Sequence, residues 1–230
     1  MSELSDNLQI AINDVQICEN YADAILNGTE PKIYKELEYI QSTGTQWIAT
    51  DIIPSTTATI NIKFQYTTAS SSADDRVLGI EQNSKYFILG RFQNNFRFVY
   101  GNGSAISVNL MTQNVDVHIA KIGYDADITC GVYFDTVAKT GNISSSYVYS
   151  SEKLNVFATT NGGYKTSNLK VYYLKVVDNT DTVLYDLIPA RNLLTSEIGL
   201  YDKVGHKWYH NSGTGEFIAG PDKEDEDVSL

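Results

Sequence analysis

The hydrophobic period of this chain changes once, near residue 33, and that change limits its fold more than any other feature. Before it, Leu4, Leu8, Ala11, Val15, Cys18, Ala22 and Ile25 recur at alternating steps of four and three, an a/d seam over three heptads. Ile10 and Ile17 mark a second apolar line off that seam. Asn27-Gly28 supplies a helix end, and Pro31 blocks continuation. A helix this short is marginal alone in water. It is expected to lie on its own domain or to dock and self-associate, and the second reading is favoured.

From Ile33 the period is two. Thr57 to Tyr66 sets Ala58, Ile60, Ile62, Phe64 and Tyr66 on one face. Tyr86 to Phe92 and Asn95 to Tyr100 read as a hairpin across Gln93-Asn94, with Phe96, Phe98 and Tyr100 sharing a side. Val115 to Tyr124 alternates around His118. Thr129 to Phe134, Asn155 to Thr159 and Leu169 to Val177 are further strands. Ser70 to Asp75 reads as a polar loop. The close of the chain reads as a meander of Ile198 to Tyr201, Lys207 to His210 and Glu216 to Ala219. Short strands with turn signals between them predict an all-β, antiparallel two-sheet sandwich or jelly roll behind a short N-terminal helix. The expected divisions are a helical anchor over 1–33, the sandwich over 34–221, and a solvated acidic tail over 222–230.

A formal net charge of −11 argues against a nucleic-acid partner. Cys18 and Cys130 fall in different units, so neither a disulfide nor a zinc site is expected. The N-terminus lacks the basic region and apolar run of a secretory signal, and no segment reaches 18 consecutive apolar residues. Membrane insertion is therefore not expected.

Tyr34 to Asp51 (YKELEYIQSTGTQWIATD) resembles the opening of a concanavalin A-like, laminin-G-type jelly roll of bacteriophage structural proteins. Leu78-Gly79, Phe96 to Gly101, His118, Phe157-Ala158-Thr159 before Asn161-Gly162-Gly163, and Leu169 to Tyr173 extend the resemblance. Asp186 to Arg191, Gly199 to Val204 and Ser212 to Phe217 complete it, over nearly all of 34–221. In that family an aromatic residue is usually followed by Ile-Asp-Thr-Gly. Here Trp47-Ile48-Ala49-Thr50-Asp51 displaces the Asp. The resemblance implies a head-fibre, decoration or tail-appendage protein on the virion surface, made without a signal peptide. The same fold hosts lectins, glycanases and purely structural modules.

Retaining glycanases on such a sandwich align two carboxylates on one strand, commonly as Glu-x-Asp-x-Glu. The domain has no such run, so no catalytic residue is assigned. A divergent glycanase relying on Glu81, Glu152 and Glu216 remains an alternative, as does a soluble bacterial carbohydrate-binding module. His206 and His210 lie about 13 Å apart if they share a strand face, too far for one ion. His118 is expected to be a hydrogen-bonded structural residue. Calcium is the ion the resemblance suggests, but Asp74-Asp75, Asp125-x-Asp127 and Asp178-x-x-Asp181 match no calcium loop. No metal or cofactor is assigned.

Sugar binding needs exposed aromatic faces with polar neighbours. Trp47, Tyr86, Arg91, Tyr164 and Trp208 are the candidates, although Trp47 and Trp208 are expected to pack across from one another at the sandwich margin. The expected function is non-enzymatic display. The helix would trimerise the protein and join it to a capsid, tail or baseplate protein, and the sandwich would meet a host-surface glycan.

Overall fold

The computed structural model describes residues 3–27, 33–55, 57–70, 74–102, 104–125, 128–140 and 152–224. Helix α1 is Glu3–Asn27, and all other regular structure is strand apart from one short 3-10 turn at Thr160–Gly162. The first strands are β1 Tyr34–Glu36, β2 Ile40–Thr43, β3 Ile48–Ala49, β4 Ala58–Tyr66, β5 Asp74–Gln82 and β6 Lys85–Phe92. There follow β7 Asn95–Asn102, β8 Ser104–Thr112, β9 Val117–Asp125, β10 Ile128–Phe134, β11 Val137–Thr140 and β12 Asn155–Val156. The last are β13 Ser167–Asp178, β14 Val183–Asn192, β15 Ile198–Asp202, β16 Lys207–Tyr209 and β17 Ile218–Ala219.

These strands form two antiparallel sheets. The larger runs β11-β10-β9-β4-β13-β14-β15-β16, with β1 on β14 and β2 between β13 and β17. The smaller runs β3-β12-β5-β6-β7-β8. Their facing sides make one core, so the chain is the expected all-β sandwich with one N-terminal helix.

Local sequence explains the pairing. In β4, Ala58, Ile60, Ile62, Phe64 and Tyr66 are buried in strict alternation, as their spacing predicts. In β13 the alternation slips. Leu169 and Val171 point inward, then Leu174 and Val176, because the register against β4 shifts between Val171 and Tyr173. The extra residue, Tyr172, is a bulge that keeps both halves of the strand on the core. Pro189 has no N–H to give a ladder. It falls where β14 changes neighbours, after its pairing with β13 ends at Leu187 and before β1 joins at Ala190.

Two expected boundaries move. Asp74 and Asp75 belong to β5 and not to a polar loop, because each carboxylate is tied to an arginine. The start of the expected acidic tail is docked. Leu37 and Asp222 form a bridge, Lys223 N–H donates to Glu36 O at 2.9 Å, and Arg191 Nη1 donates to Asp222 Oδ1 at 2.9 Å. Residues 225–230 lie outside the described residues.

The apolar stripe of α1 is left bare. Leu8, Ile12, Val15 and Leu26 are 62%, 52%, 57% and 81% exposed, and Ala11, Cys18 and Ala22 are exposed beside them. Ile17 is half-buried and Ala24 buried. Ile12 and Leu26 widen the seam beyond its a/d positions. The side chains of Leu4, Ile10 and Ile25 lie outside the described residues. Among the described residues, no helix is long and apolar enough to cross a membrane.

Candidate functional site

Three loops meet around Trp47 at one end of the sandwich. The first, residues 43–47, is set by buried Gln46. Its Oε1 accepts from Thr43 N–H at 2.8 Å, and its Nε2 donates to Glu216 O at 2.9 Å. The second, residues 211–215, is closed by Asn211, whose Nδ2 donates to Gly215 O at 2.7 Å and whose Oδ1 accepts from Gly213 N–H at 2.8 Å. Ser212 N–H donates to Trp47 O at 2.8 Å and Thr45 Oγ1 to Thr214 O at 2.7 Å, which stitches the two loops together.

The third loop, residues 157–166, leaves β12 and crosses the small sheet. Asn155 Nδ2 donates to Thr159 O at 2.8 Å, and Arg76 N–H donates to Thr166 Oγ1 at 2.7 Å. Asn161 and Tyr164 hold left-handed backbone, φ 56° and 48°, which non-glycine residues seldom adopt. Both side chains are exposed, whereas Phe157 of the same loop, at φ 67°, is buried.

The half-buried Trp47 indole is wedged between two glycines from separate loops. A Cβ on Gly162 (φ +72°) would lie 2.7 Å from Trp47 Nε1, and one on Gly213 would lie 2.9 Å from Trp47 Cδ1. Glycine is required at 162 because the ring occupies the side-chain position, and at 213 because the Thr45 carbonyl oxygen crowds that position even more closely than the ring. On one side of the indole is a cleft of about 290 Å³ lined by Gln82, Glu152, Lys153, Asn155 and Thr160. On the other is a cleft of about 440 Å³ lined by Thr45, Lys165, Ser212, Gly213 and Thr214. Trp47 and Asn161 line both. Hydroxyls, amides and one aromatic wall suit a polyol that stacks one face and hydrogen-bonds its edges. Glu152 is the one carboxylate among these lining residues.

The remaining candidates are dispersed. Tyr164 is exposed on the same loop as Asn161, its ring 4.4 Å from the Arg76 guanidinium. Tyr86 is half-buried on β6, paired with Glu81 of β5 beside Gln82, and is not itself among the residues lining either cleft. Arg91 is buried. Its Nε and Nη2 donate to Asp75 at 3.0 and 2.6 Å, and its guanidinium covers the Tyr66 ring at 3.7 Å. It braces the core and presents nothing to a ligand.

Trp47 and Trp208 do not pack across from one another. Trp208 lies beside Tyr201 and His210, at ring distances of 6.0 and 6.3 Å, while Trp47 is held by the glycines. Glu216 sits in the loop after Gly215 and lines neither cleft, so Glu81, Glu152 and Glu216 do not share one.

The histidines are accounted for by geometry. His118 is buried against Phe96 and Phe134, both 4.9 Å away. Its Nδ1 lies 3.0 Å from Asp135 Oδ2 and its Nε2 lies 2.7 Å from Asn114 Oδ1. His206 sits 3.4 Å from the Tyr201 hydroxyl and His210 sits 2.7 Å from Glu197, so each is occupied separately.

Of the calcium candidates, Asp74, Asp75 and Asp178 are spent on protein, the first two on arginines. Asp178 Oδ1 accepts from Thr180 N–H and Oγ1 and from Thr182 N–H at 2.7 to 2.9 Å, which holds its carboxyl below the usual range. Asp127 and the side chain of Asp125 lie outside the described residues. Among the described residues, no three His, Cys, Asp or Glu gather as a metal site.

Asn161, Thr45, Gly213 and Lys165 complete the clefts and were not among the candidates read from sequence, and Glu152 entered only with the glycanase alternative. Their only signal was the Gly-rich turns at Asn161-Gly162-Gly163 and Asn211 to Gly215. No protein-family model matches the chain, and no curated protein matches it.

Proposed function

We propose that this chain is a non-enzymatic bacteriophage virion protein, a head-fibre, decoration or tail-appendage subunit. In this reading α1 trimerises the protein and docks it on a capsid, tail or baseplate protein, while the sandwich displays a lectin-like rim to host-surface glycans. The observation that carries the proposal is the bare stripe on α1. Leu8, Ile12, Val15 and Leu26 in one helix face solvent together, an arrangement that a partner surface would relieve. The clefts flanking Trp47 support the glycan half. A lone carboxylate between them offers no acid and nucleophile pair for glycoside cleavage. Weak affinity per rim would become useful avidity when three rims are held together.

Native mass spectrometry on the full chain and on a version lacking residues 1–33 tests the anchor, with trimer and monomer expected respectively. A glycan array followed by titration of hits against Trp47→Ala tests the rim, with at least a tenfold loss expected. A monomeric full chain that still binds sugar would favour the carbohydrate-binding-module reading. Release of reducing ends, abolished by Glu152→Gln, would favour a glycanase.

A further inference from the structure

On the outer face of the small sheet, Arg76 of β5, Gly90 of β6 and Arg97 of β7 are cross-strand neighbours in one row. Gly90 has no side chain there, and the Arg76 stem lies across the gap. A Cβ on Gly90 would come 3.2 Å from Arg76 Cδ. The Arg76 guanidinium is held between two rings, Phe92 at 4.1 Å and Tyr164 at 4.4 Å, and Arg97 approaches the same Phe92 at 5.9 Å. Two guanidinium groups thus share one aromatic ring.

Their charge is only half balanced. Asp74 Oδ1 accepts from Arg76 Nη1 at 2.7 Å, and among the described residues no carboxylate pairs with Arg97. The Arg76 side chain is 4% exposed, yet its Nε is buried without an acceptor, and so is the Nε of Arg97. Glu81, the next acidic residue on this face, is two rows along the strands, about 13 Å away. Buried N–H donors of charged groups are normally satisfied. Here two are not, within a chain whose net charge is −11. The patch is open at its rim, where Tyr164 is 49% exposed.

We propose that this row binds an acidic sugar residue, whose carboxylate or sulfate oxygens accept from the half-buried Arg97 guanidinium, with the buried Arg76 charge behind it, while its ring edge meets Tyr164. Guanidinium forks match oxyanions of this shape. The inference rests on the glycan reading above and extends it. The loop that places Asn161 in the Trp47 clefts also places Tyr164 over Arg76, so one saccharide chain can run from the indole to the arginines.

Calorimetric titration of the full chain at low ionic strength tests this, using a hyaluronan tetrasaccharide (carboxylates only), a heparin tetrasaccharide (sulfated) and neutral cellotetraose. The unsulfated and sulfated acids together identify which oxyanion is preferred. Arg97→Gln is expected to weaken the preferred acid at least tenfold and to leave cellotetraose unchanged, with Arg97→Lys intermediate because it keeps the charge and loses the fork. Unchanged thermal melting of both variants excludes a folding defect. Acid binding lost in Arg97→Gln but kept in Trp47→Ala supports the arginine row and counts against the indole clefts. Neutral binding lost in Trp47→Ala, with acidic and neutral sugars equal and Arg97→Gln silent, overturns the arginine row and leaves the glycan reading standing. Binding of none of the three overturns both.

Discussion

Gly162 shows how a single residue fixes the candidate site. Its φ of +72° lies in the region that L side chains avoid, and the space a methyl would fill belongs to the Trp47 indole. Gly162→Ala is expected to cost about 1–3 kcal/mol, from left-handed strain together with displacement of the ring. Denaturant unfolding followed by tryptophan emission would measure it, and the native emission should shift as the indole moves outward. An unchanged midpoint would mean the ring is not wedged. The site was poorly legible in the sequence for the same reason. Trp47, Gly162 and Gly213 meet through loops far apart along the chain, and nothing in a local period records that. Arg91 misled in the opposite sense, since an arginine in an aromatic-rich strand looks like a ligand contact until Asp75 and Tyr66 are seen to enclose it.

Among the elements, strands with one buried face declared themselves and strands buried on both sides did not. β4 has a solvated face, so Thr59, Asn61, Lys63 and Gln65 punctuate its apolar residues and the alternation is plain. In β5, Val77, Leu78, Gly79 and Ile80 are all buried. Its register against β6 shifts between Arg76 and Leu78, and the loop carrying Thr159 covers its outer face at Gly79. Without a polar side, only its acidic start was visible, and that reads as a loop.

Helix α1 carries its own test. It contains Glu3, Asp6, Asp14, Glu19 and Asp23 and no Lys or Arg. In the heptad that puts Leu8 and Val15 at a, Asp14 is a g residue and Glu19 the e residue five positions on. Those are the two positions that face each other across a parallel coiled coil. Self-association therefore works against like charge, which salt screens. Sedimentation should show the proposed trimer strengthening as salt rises from low ionic strength, and Glu19→Lys should remove most of that dependence. Association that weakens with salt would rule out a parallel seam.

For the molecule as a whole, the buried phenols set an alkaline limit. Burial holds Tyr66 well above its ordinary value of 10.0, raises Tyr209 strongly, and pushes Tyr34 up to about 12. A folded value above the unfolded one means the contribution to stability is complete below the unfolded value and is lost as pH rises through the folded one. Unfolding midpoints should hold up to about pH 10 and then fall steeply. Absorbance near 295 nm should show a set of tyrosines ionising only as the fold is lost, and Tyr66→Phe should soften the decline. Smooth ionisation of every tyrosine near its ordinary value, with the fold intact, would contradict the burial.

The bridge from Leu37 to Asp222, with Lys223 bonded to Glu36, places the two ends of the sandwich side by side. Strands β2 and β17 run from that corner to the loops that hold Trp47. The domain is thus close to a ring with one gap, and the gap is opposite the clefts. It can be spliced into a surface loop of another protein with neighbouring junctions, or closed by a short linker and reopened elsewhere, while the loops around Trp47 stay as they are.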